Sequence, residues 1–338
     1  MDDYLQTLLN TPMPQVDAGG RLRHLLTLAG LSRGHIERLL DRAETLRGES
    51  RNGTRQLDLL NGRTIINLFF EPSTRTRTSF DLAAQRLGGR VVNFDIASSS
   101  TSKGETLLDT VHTLEAMHCD VFVVRHNQAG TPDFIARHLH SRASVINGGD
   151  GSHAHPTQGL LDALTLRRHR PDFGTLRVVI CGDIRHSRVA RSDIHVLRAL
   201  DCNEIRLCAP PELQADVDEF PGCRLYEDFD AAIERADVAI MLRLQKERMQ
   251  AASIPSAAEY YARYGLSAKR LERAHRDCLV MHPGPINRGV EIAGDIADSK
   301  RSLILEQAAN GVFLRMAALA ELLVPRFEND TPRASAMP

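Results

Sequence analysis

Residues 64–80 read Thr64-Ile65-Ile66-Asn67-Leu68-Phe69-Phe70-Glu71-Pro72-Ser73-Thr74-Arg75-Thr76-Arg77-Thr78-Ser79-Phe80. They decide the fold because an apolar run, a proline turn and a polar run follow one another without a break. The run 64–70 is short and rich in branched apolar residues, the pattern of a buried strand. Residues 79–87 suit a helix, so Pro72 and Ser73 fall at a strand-to-helix turn, where proline fits and a serine can cap. Unpaired backbone N–H groups and the positive end of the helix dipole then meet two arginines, Arg75 and Arg77, and four hydroxyls, Ser73, Thr74, Thr76 and Thr78. The combination predicts a phosphate-binding turn. A capped surface helix with solvated arginines is the plainer alternative, and the density of donors directly after a buried strand disfavours it.

The same alternation recurs along the chain. Strand-like segments at 64–70, 90–96, 121–124 and 144–147 alternate with helical ones at 32–47, 79–87, 106–116 and 133–140. After Pro156 a second series places strands at 177–181, 204–208, 238–242 and 279–281, with helices at 192–199, 229–235 and 268–274. Strands alternating with helices imply parallel sheets covered by helices. The expected fold class is α/β, two doubly wound parallel-sheet domains joined near residues 150–165, which suits 338 residues at roughly 150 per domain. A last helix, 307–323, carries Val312, Phe313, Leu314, Met316, Leu319, Leu322 and Leu323 and needs another element to pack on. Residues 1–20, with two prolines and a Gly-Gly pair, read as an extension.

Bulk properties narrow the function. With 42% hydrophobic and 25% charged residues and a formal net charge of -1, the chain has no global field, so an anion site must be local. No apolar run is long enough to span a bilayer, and Met1-Asp2-Asp3-Tyr4 lacks the start of a signal peptide; a cytoplasmic protein is expected. Six scattered cysteines without a C-x-x-C pair read as reduced thiols. Absent tryptophan and 5% aromatics argue against a nucleic-acid surface.

Further polar groups fall at strand ends. Ser98-Ser99-Ser100-Thr101-Ser102-Lys103-Gly104-Glu105-Thr106 follows the second strand; it has a loop composition, with a lysine able to close over an anion. Arg125-His126 follows the strand 121–124, at a carboxyl end where open α/β sheets bind ligands. Gly148 to Gly159 contains His153 and His155, whose spacing and missing co-ligands do not fit a zinc site; a loop histidine here can donate to a substrate carbonyl. Residues 178–190 have the shape of a nucleotide-fold strand and turn without G-x-G-x-x-G, which argues against a nicotinamide or flavin cofactor and aims Arg188 from a helix start into the inter-domain cleft. Arg243 and Gln245 alternate to one face after the strand 238–242, and two separated arginines suit two carboxylates. Met281-His282-Pro283-Gly284-Pro285 is a rigid turn that can offer carbonyls or Gly284.

Taken together, S-T-R-T-R-T, S-K-G-E-T, V-R-H, H-P-T-Q, G-D-x-x-x-S-R, R-x-Q-x-E-R and H-P-G-P occur in the order that marks the transcarbamoylases, and the chain resembles that family over residues 22–325. The resemblance implies a carbamoyl phosphate domain at 22–155 completed by the helix 307–325, an aspartate domain at 156–306, an extension at 1–21 and a tail at 326–338. It implies active sites in the inter-domain cleft at subunit interfaces of a homotrimer. Ser73, Thr74, Arg75, Thr76 and Arg125 would hold the phosphate, and Ser99 and Lys103 would reach into the neighbouring subunit's site. Thr76, Arg125 and His155 would face the developing oxyanion, Gln158 and Pro283 with Gly284 and Pro285 the carbamoyl group. Arg188, Arg243, Gln245 and Lys103 would bind aspartate, while Glu71 and Arg248 would stabilise domain closure.

The reaction so implied is attack of the L-aspartate α-amine on the carbamoyl carbon of carbamoyl phosphate, expelling phosphate, in pyrimidine biosynthesis. The departing phosphate and His155 both stand as proton acceptors. No metal or cofactor is expected, because phosphate is a good leaving group and positioning does most of the work. Ornithine transfer, the rival within the family, needs carboxylates for a cationic side chain and an H-C-L-P turn; this chain has arginines and His282-Pro283-Gly284-Pro285. A catalytically silent subunit would have lost some of Arg75, Lys103, Arg125, His155 and Arg243, which are all present. The sequence departs from the family pattern in its single loop lysine and in Arg185 beside His186. The extension at 1–21 is a candidate contact for dihydroorotase-like or regulatory chains joining two or more trimers, or a plain tail.

Overall fold

The computed structural model describes residues 14–94, 106–216, 218–244 and 256–324. Among them, contacts define two compact units, one within Met1–Thr27, Glu37–Gly151 and Val312–Pro338 and the other within Leu28–Ile36 and Ser152–Gly311. Helix α1, Arg33–Glu49, precedes the first sheet.

In the first unit the chain runs β1 (Thr64–Phe69), α2 (Thr74–Arg86), β2 (Arg90–Phe94), α3 (Leu107–Ala116), β3 (Val121–His126), α4 (Thr131–His138) and β4 (Ser144–Asp150). The strands pair in the order β2-β1-β3-β4, all parallel. β4 is buried along its whole length and β3 in all but its last residue, as expected of strands covered by helices on both faces. Ile66, Leu68, Phe122, Val124 and Val145 meet Val111, Leu114 and Ile135 from the helices in one core. The edge strand β2 is mostly exposed or half-buried.

The second unit contains α5 (Pro156–His169), β5 (Arg177–Cys181), α6 (Arg188–Ala199), β6 (Glu204–Cys208), β7 (Arg224–Tyr226), α7 (Phe229–Ala232), β8 (Val238–Met241), α8 (Ala257–Tyr264), α9 (Ala268–Leu271), β9 (Leu279–Met281) and α10 (Gly294–Ala297). Its parallel sheet is ordered β7-β6-β5-β8-β9. Helix α11, Ile304–Leu323, begins in this unit, and its residues from Val312 onward belong to the first. There Arg315 lies over the Phe80 ring, 5.1 Å from its centre.

β7, α8 and α10 have no counterpart in the sequence expectation. β7 is a three-residue edge strand and α10 a four-residue helix, each too short for a period. α5 is buried throughout residues 156–166, so no polar face marks its extent as a helical stripe. α8 carries a capping box, Ser256 with Glu259, which is the sequence signal that would have found it. The six cysteines are free thiols, and burial pushes Cys119, Cys202 and Cys278 up to about 12.

Each sheet changes direction once, between β1 and β3 and between β5 and β8. Both strand pairs are clamped at their amino ends by an aspartate just before the later strand. Asp120 accepts from Thr64 N (2.9 Å) and Arg63 Nη1 (2.7 Å), and Asp237 accepts from Arg177 N and Nε (2.9 Å each). Burial opposes the charge of Asp237, but the Arg177 hydrogen bonds and charge outweigh it and hold the carboxyl below its ordinary 3.8. A carboxyl lowered by folding adds stability above its unfolded pKa, and that part is lost as pH falls through the lowered value. Asp237→Asn is therefore expected to lower the denaturation midpoint at pH 7 and to narrow the gap to wild type progressively below pH of about 4, read by denaturant titrations across pH. A gap that stays constant with pH would refute the linkage.

Candidate active site

In open α/β sheets a ligand crevice forms where strand order reverses, at the carboxyl ends of the strands. In the first unit that point holds the turn after β1 and the end of β3. Phe69 pairs in register with Arg125, and Phe70 N donates to Arg125 O at 2.8 Å. Helix α2 begins at Thr74, five residues earlier than the apolar pattern indicates, which brings Thr74, Arg75 and Thr76 into its first turn. Ser73 is the N-cap residue with extended backbone, yet its side chain makes no capping hydrogen bond. The first-turn N–H groups of a helix have no intrahelical acceptor, and here they sit beside the Ser73 hydroxyl. Thr74 and Arg75 are exposed and Thr76 is buried.

Arg125 lies inside β3 rather than after it, because the strand continues to His126. It is buried, and two groups fix its guanidinium: Nη1 donates to Gly148 O at 3.2 Å, and Nη2 faces Glu71 Oε1 at 3.4 Å. Glu71 thus orients an arginine of its own unit; Arg248, its expected closure partner, lies outside the described residues. His126 packs on Phe70 with ring centres 5.0 Å apart, and burial lowers its pKa against the opposing pull of Asp150 and Glu71.

The second unit repeats the logic between β5 and β8. Gly182, directly after β5, has φ +141, and a Cβ there would stand 2.7 Å from Leu242 O. Only glycine permits this approach of the two strand ends. Arg188 is the first residue of α6 and is buried, with Ser187 capping through Ala190 N. Arg243 follows β8, which ends at Met241; Gln245, expected to share a face with Arg243, lies outside the described residues. Arg185 turns to Gln214 O (3.2 Å) and Asp216 (3.8 Å).

His155 is the N-cap residue of α5 and its side chain does not cap the helix; its N–H donates to Ser192 Oγ at 2.9 Å. α5 and α6 approach closely at Gly159, where a Cβ would meet Ser192 O at 2.8 Å. Gln158, one turn into α5, gives its Nε2 to Asp162 at 3.1 and 3.2 Å, so the group it can offer a ligand is the acceptor Oε1.

After β9, His282 is buried. Its Nδ1 accepts from Gly284 N (2.8 Å), which puts the ring proton on Nε2, 3.1 Å from Glu291 Oε1. The Gly284 N–H is therefore engaged within the turn, and Pro283, Gly284 and Pro285 can present only carbonyls. Asp162, Gln307 and Glu291, which hold these groups, were not evident from the sequence because they fall in apolar helices or plain loop. Ser99 and Lys103 lie outside the described residues.

Two family models match the chain: the aspartate/ornithine carbamoyltransferase carbamoyl-P binding domain over residues 23–168 and the Asp/Orn binding domain over residues 175–322. Aspartate carbamoyltransferase catalytic subunits of Xanthomonas campestris and Stenotrophomonas maltophilia are 54% and 53% identical, each aligned over 91% of this chain and 98% of theirs. Among solved structures, aspartate transcarbamoylase of Trypanosoma cruzi in complex with carbamoyl aspartate and phosphate superposes with a TM-score of 0.81 at 30% identity, over 91% of this chain and 98% of that one. Ornithine carbamoyltransferase of Thermus thermophilus has the same fold at 24% identity, TM-score 0.78, over 89% and 99%.

Because Ser73 does not cap α2, Ser73→Ala should leave thermal stability within about 0.5 kcal/mol of wild type, below the roughly 1 kcal/mol of a lost cap. It should nonetheless reduce the thermal shift given by inorganic phosphate. Loss of a full cap's worth of stability with an unchanged phosphate shift would assign the hydroxyl to the helix instead.

Proposed function

The chain belongs to the aspartate/ornithine carbamoyltransferase family, and from that premise we infer that it is an aspartate carbamoyltransferase. It transfers the carbamoyl group of carbamoyl phosphate to the α-amine of L-aspartate, giving N-carbamoyl-L-aspartate and phosphate, a step of pyrimidine synthesis. The observation that carries the acceptor's identity is the pair of arginines flanking the second unit's switch point, Arg188 at the start of α6 and Arg243 after β8. Two guanidinium groups suit the two carboxylates of aspartate, whereas the cationic side chain of ornithine would be repelled.

In this reading the phosphate lies at the N-terminus of α2, against the Ser73, Thr74, Arg75 and Thr76 donors and the Arg125 guanidinium that Glu71 and Gly148 hold in place. The Gln158 Oε1 and the Pro283 carbonyl accept from the carbamoyl NH2, fixing the plane of the group. The aspartate amine forms the new C–N bond, and the carbonyl oxygen becomes an oxyanion facing Thr76, Arg125 and His155. Donors fixed before the reaction stabilise such charge without reorganising. Collapse of the tetrahedral species breaks the C–O bond to phosphate, and the amine proton passes to His155 or to the departing phosphate.

The minimal active unit is proposed to be a cytoplasmic homotrimer in which Ser99 and Lys103 of one copy complete a neighbour's site, a reading supported by the match of S-K-G-E-T to the family's motif. Residues 1–21 are proposed as the contact for dihydroorotase-like or regulatory chains, which native mass measurement of the endogenous complex tests. No helix among the described residues is long and apolar enough to cross a membrane.

Purified chain with carbamoyl phosphate and L-aspartate should yield carbamoyl aspartate in a colorimetric assay; a folded sample without product would defeat the assignment. Arg75→Ala should act chiefly on carbamoyl phosphate use and Arg243→Ala chiefly on the KM for aspartate, each by about 100-fold for a lost charge-assisted contact. Equal loss for both substrates in both variants would contradict the division of labour. Mixing inactive Arg75→Ala and Lys103→Ala chains should restore activity through hybrid sites, and no restoration after verified subunit exchange would remove the shared-site proposal.

A further inference from the structure

The second unit contains a buried polar network that the reaction as described does not use. Asp162, on α5, accepts from Gln158 Nε2 (3.1 and 3.2 Å) and from Gln307 Nε2 (2.6 Å). Gln307, on α11, uses its Oε1 to accept from His282 N at 3.0 Å. His282 in turn holds Gly284 N and Glu291, and Glu291 Oε1 accepts from Asn287 N at 2.6 Å. Asp162, Gln158, Gln307, His282 and Glu291 are all buried. One carboxylate therefore connects the side chain of Gln158 to the backbone of the turn that carries Pro283.

A second acid, Asp193 on α6, meets Asp162. It is buried, and no protein N–H donates to either of its carboxyl oxygens among the described residues. Burial, then the charge of Asp162 and a hydrogen bond to it, push the Asp193 carboxyl well above its ordinary range. Two carboxyls cannot both ionise side by side in a dry interior, and a hydrogen bond between them needs a proton on one.

We propose that Asp162 is a positioning residue for carbamoyl transfer: it fixes the amide of Gln158 with Oε1 outward and, through Gln307, sets the Pro283 carbonyl relative to it. The inference rests on the reading of Gln158 and Pro283 as the carbamoyl-nitrogen acceptors. An unrestrained glutamine amide can rotate to present either its N–H2 or its oxygen. Only the oxygen can accept from the substrate NH2, and both Nε2 bonds here run to a carboxylate that cannot donate. The bridge thus converts a two-fold choice into one orientation and spaces two acceptors for one NH2 group.

The test is a double-mutant cycle in the full-length chain. Asp162→Asn should lower kcat by about 10-fold or more, the scale of a lost hydrogen bond to a charged group, while the KM for aspartate stays within about two-fold. Added to Gln158→Ala, it should cost little further, because both act through one amide. Gln307→Met, which cuts the bridge from the other end, gives an independent reading if Asp162→Asn does not fold, and should also lower kcat at constant aspartate KM. Wild-type kcat in folded Asp162→Asn or Gln307→Met, or multiplicative losses in the double variant, would overturn the proposal. A wild-type chain that forms no carbamoyl aspartate would instead remove the reading beneath it.

Discussion

The register that pairs Phe69 with Arg125 is the constraint on which the first unit's chemistry depends. It places the end of β3 beside the end of β1, so that the turn 71–76 and the Arg125 guanidinium emerge at the same edge. Because β2 lies on the far side of β1 and β4 on the far side of β3, the helices leave in opposite directions and a crevice is left between them. A register shift of one residue would turn Arg125 to the other face of the sheet and detach it from Glu71 and Gly148. The amino-end clamp of Asp120 on Thr64 and Arg63 holds that register from the opposite end of the same strand pair. The second unit uses the same device, with Asp237 as clamp and the Gly182–Leu242 approach at the carboxyl ends.

A formal net charge of -1 leaves positive character local, and at the end of β3 a carboxylate stands beside the buried Arg125. Glu71 faces Arg125 at 3.4 Å rather than in a tight two-pronged pair. At that distance it directs the guanidinium without neutralising it fully, and Nη1 is tied separately to a carbonyl. Asp162 does similar work for a neutral side chain, turning the Gln158 amide so that its acceptor faces outward. In both cases an acid acts on orientation, and the group it orients is the one suited to touch the substrate.

Much of this was legible in the sequence, since strand and helix alternation, the donors after β1 and the arginines of the second half each leave a local mark. What was not legible follows from how sequence patterns arise. The start of α2 is hidden because its first turn is polar on all sides, so no apolar period announces it before Ser79. The extent of α5 is hidden for a different reason: its residues 156–166 are buried on every side, polar and apolar alike, so no stripe marks them. A charged residue in a buried strand contradicts the pattern, so β3 reads as ending before Arg125; Glu71 and Gly148 are among the groups that hold it there. Asp162 and Gln307 are 145 residues apart in sequence, and nothing local in either helix distinguishes a polar residue facing a partner from one facing water.

The departures from local rules cluster at these groups, and each has a distinct physical reason. Ser73 occupies a cap position without capping, which leaves its hydroxyl to an incoming acceptor rather than to its own helix. His155 does the same at the start of α5. Gly182 accepts a backbone conformation that side chains rarely adopt, and Asp193 accepts a burial that pushes its carboxyl well above the ordinary range. Each arrangement forgoes stability that a cap, an ordinary turn or an apolar core residue would supply. Natural sequences keep such conflicts where a ligand resolves them. In the proposed reading, the hydroxyls and backbone N–H groups of the α2 turn would gain acceptors from the phosphate, and the Gln158 oxygen would gain donors from the carbamoyl NH2.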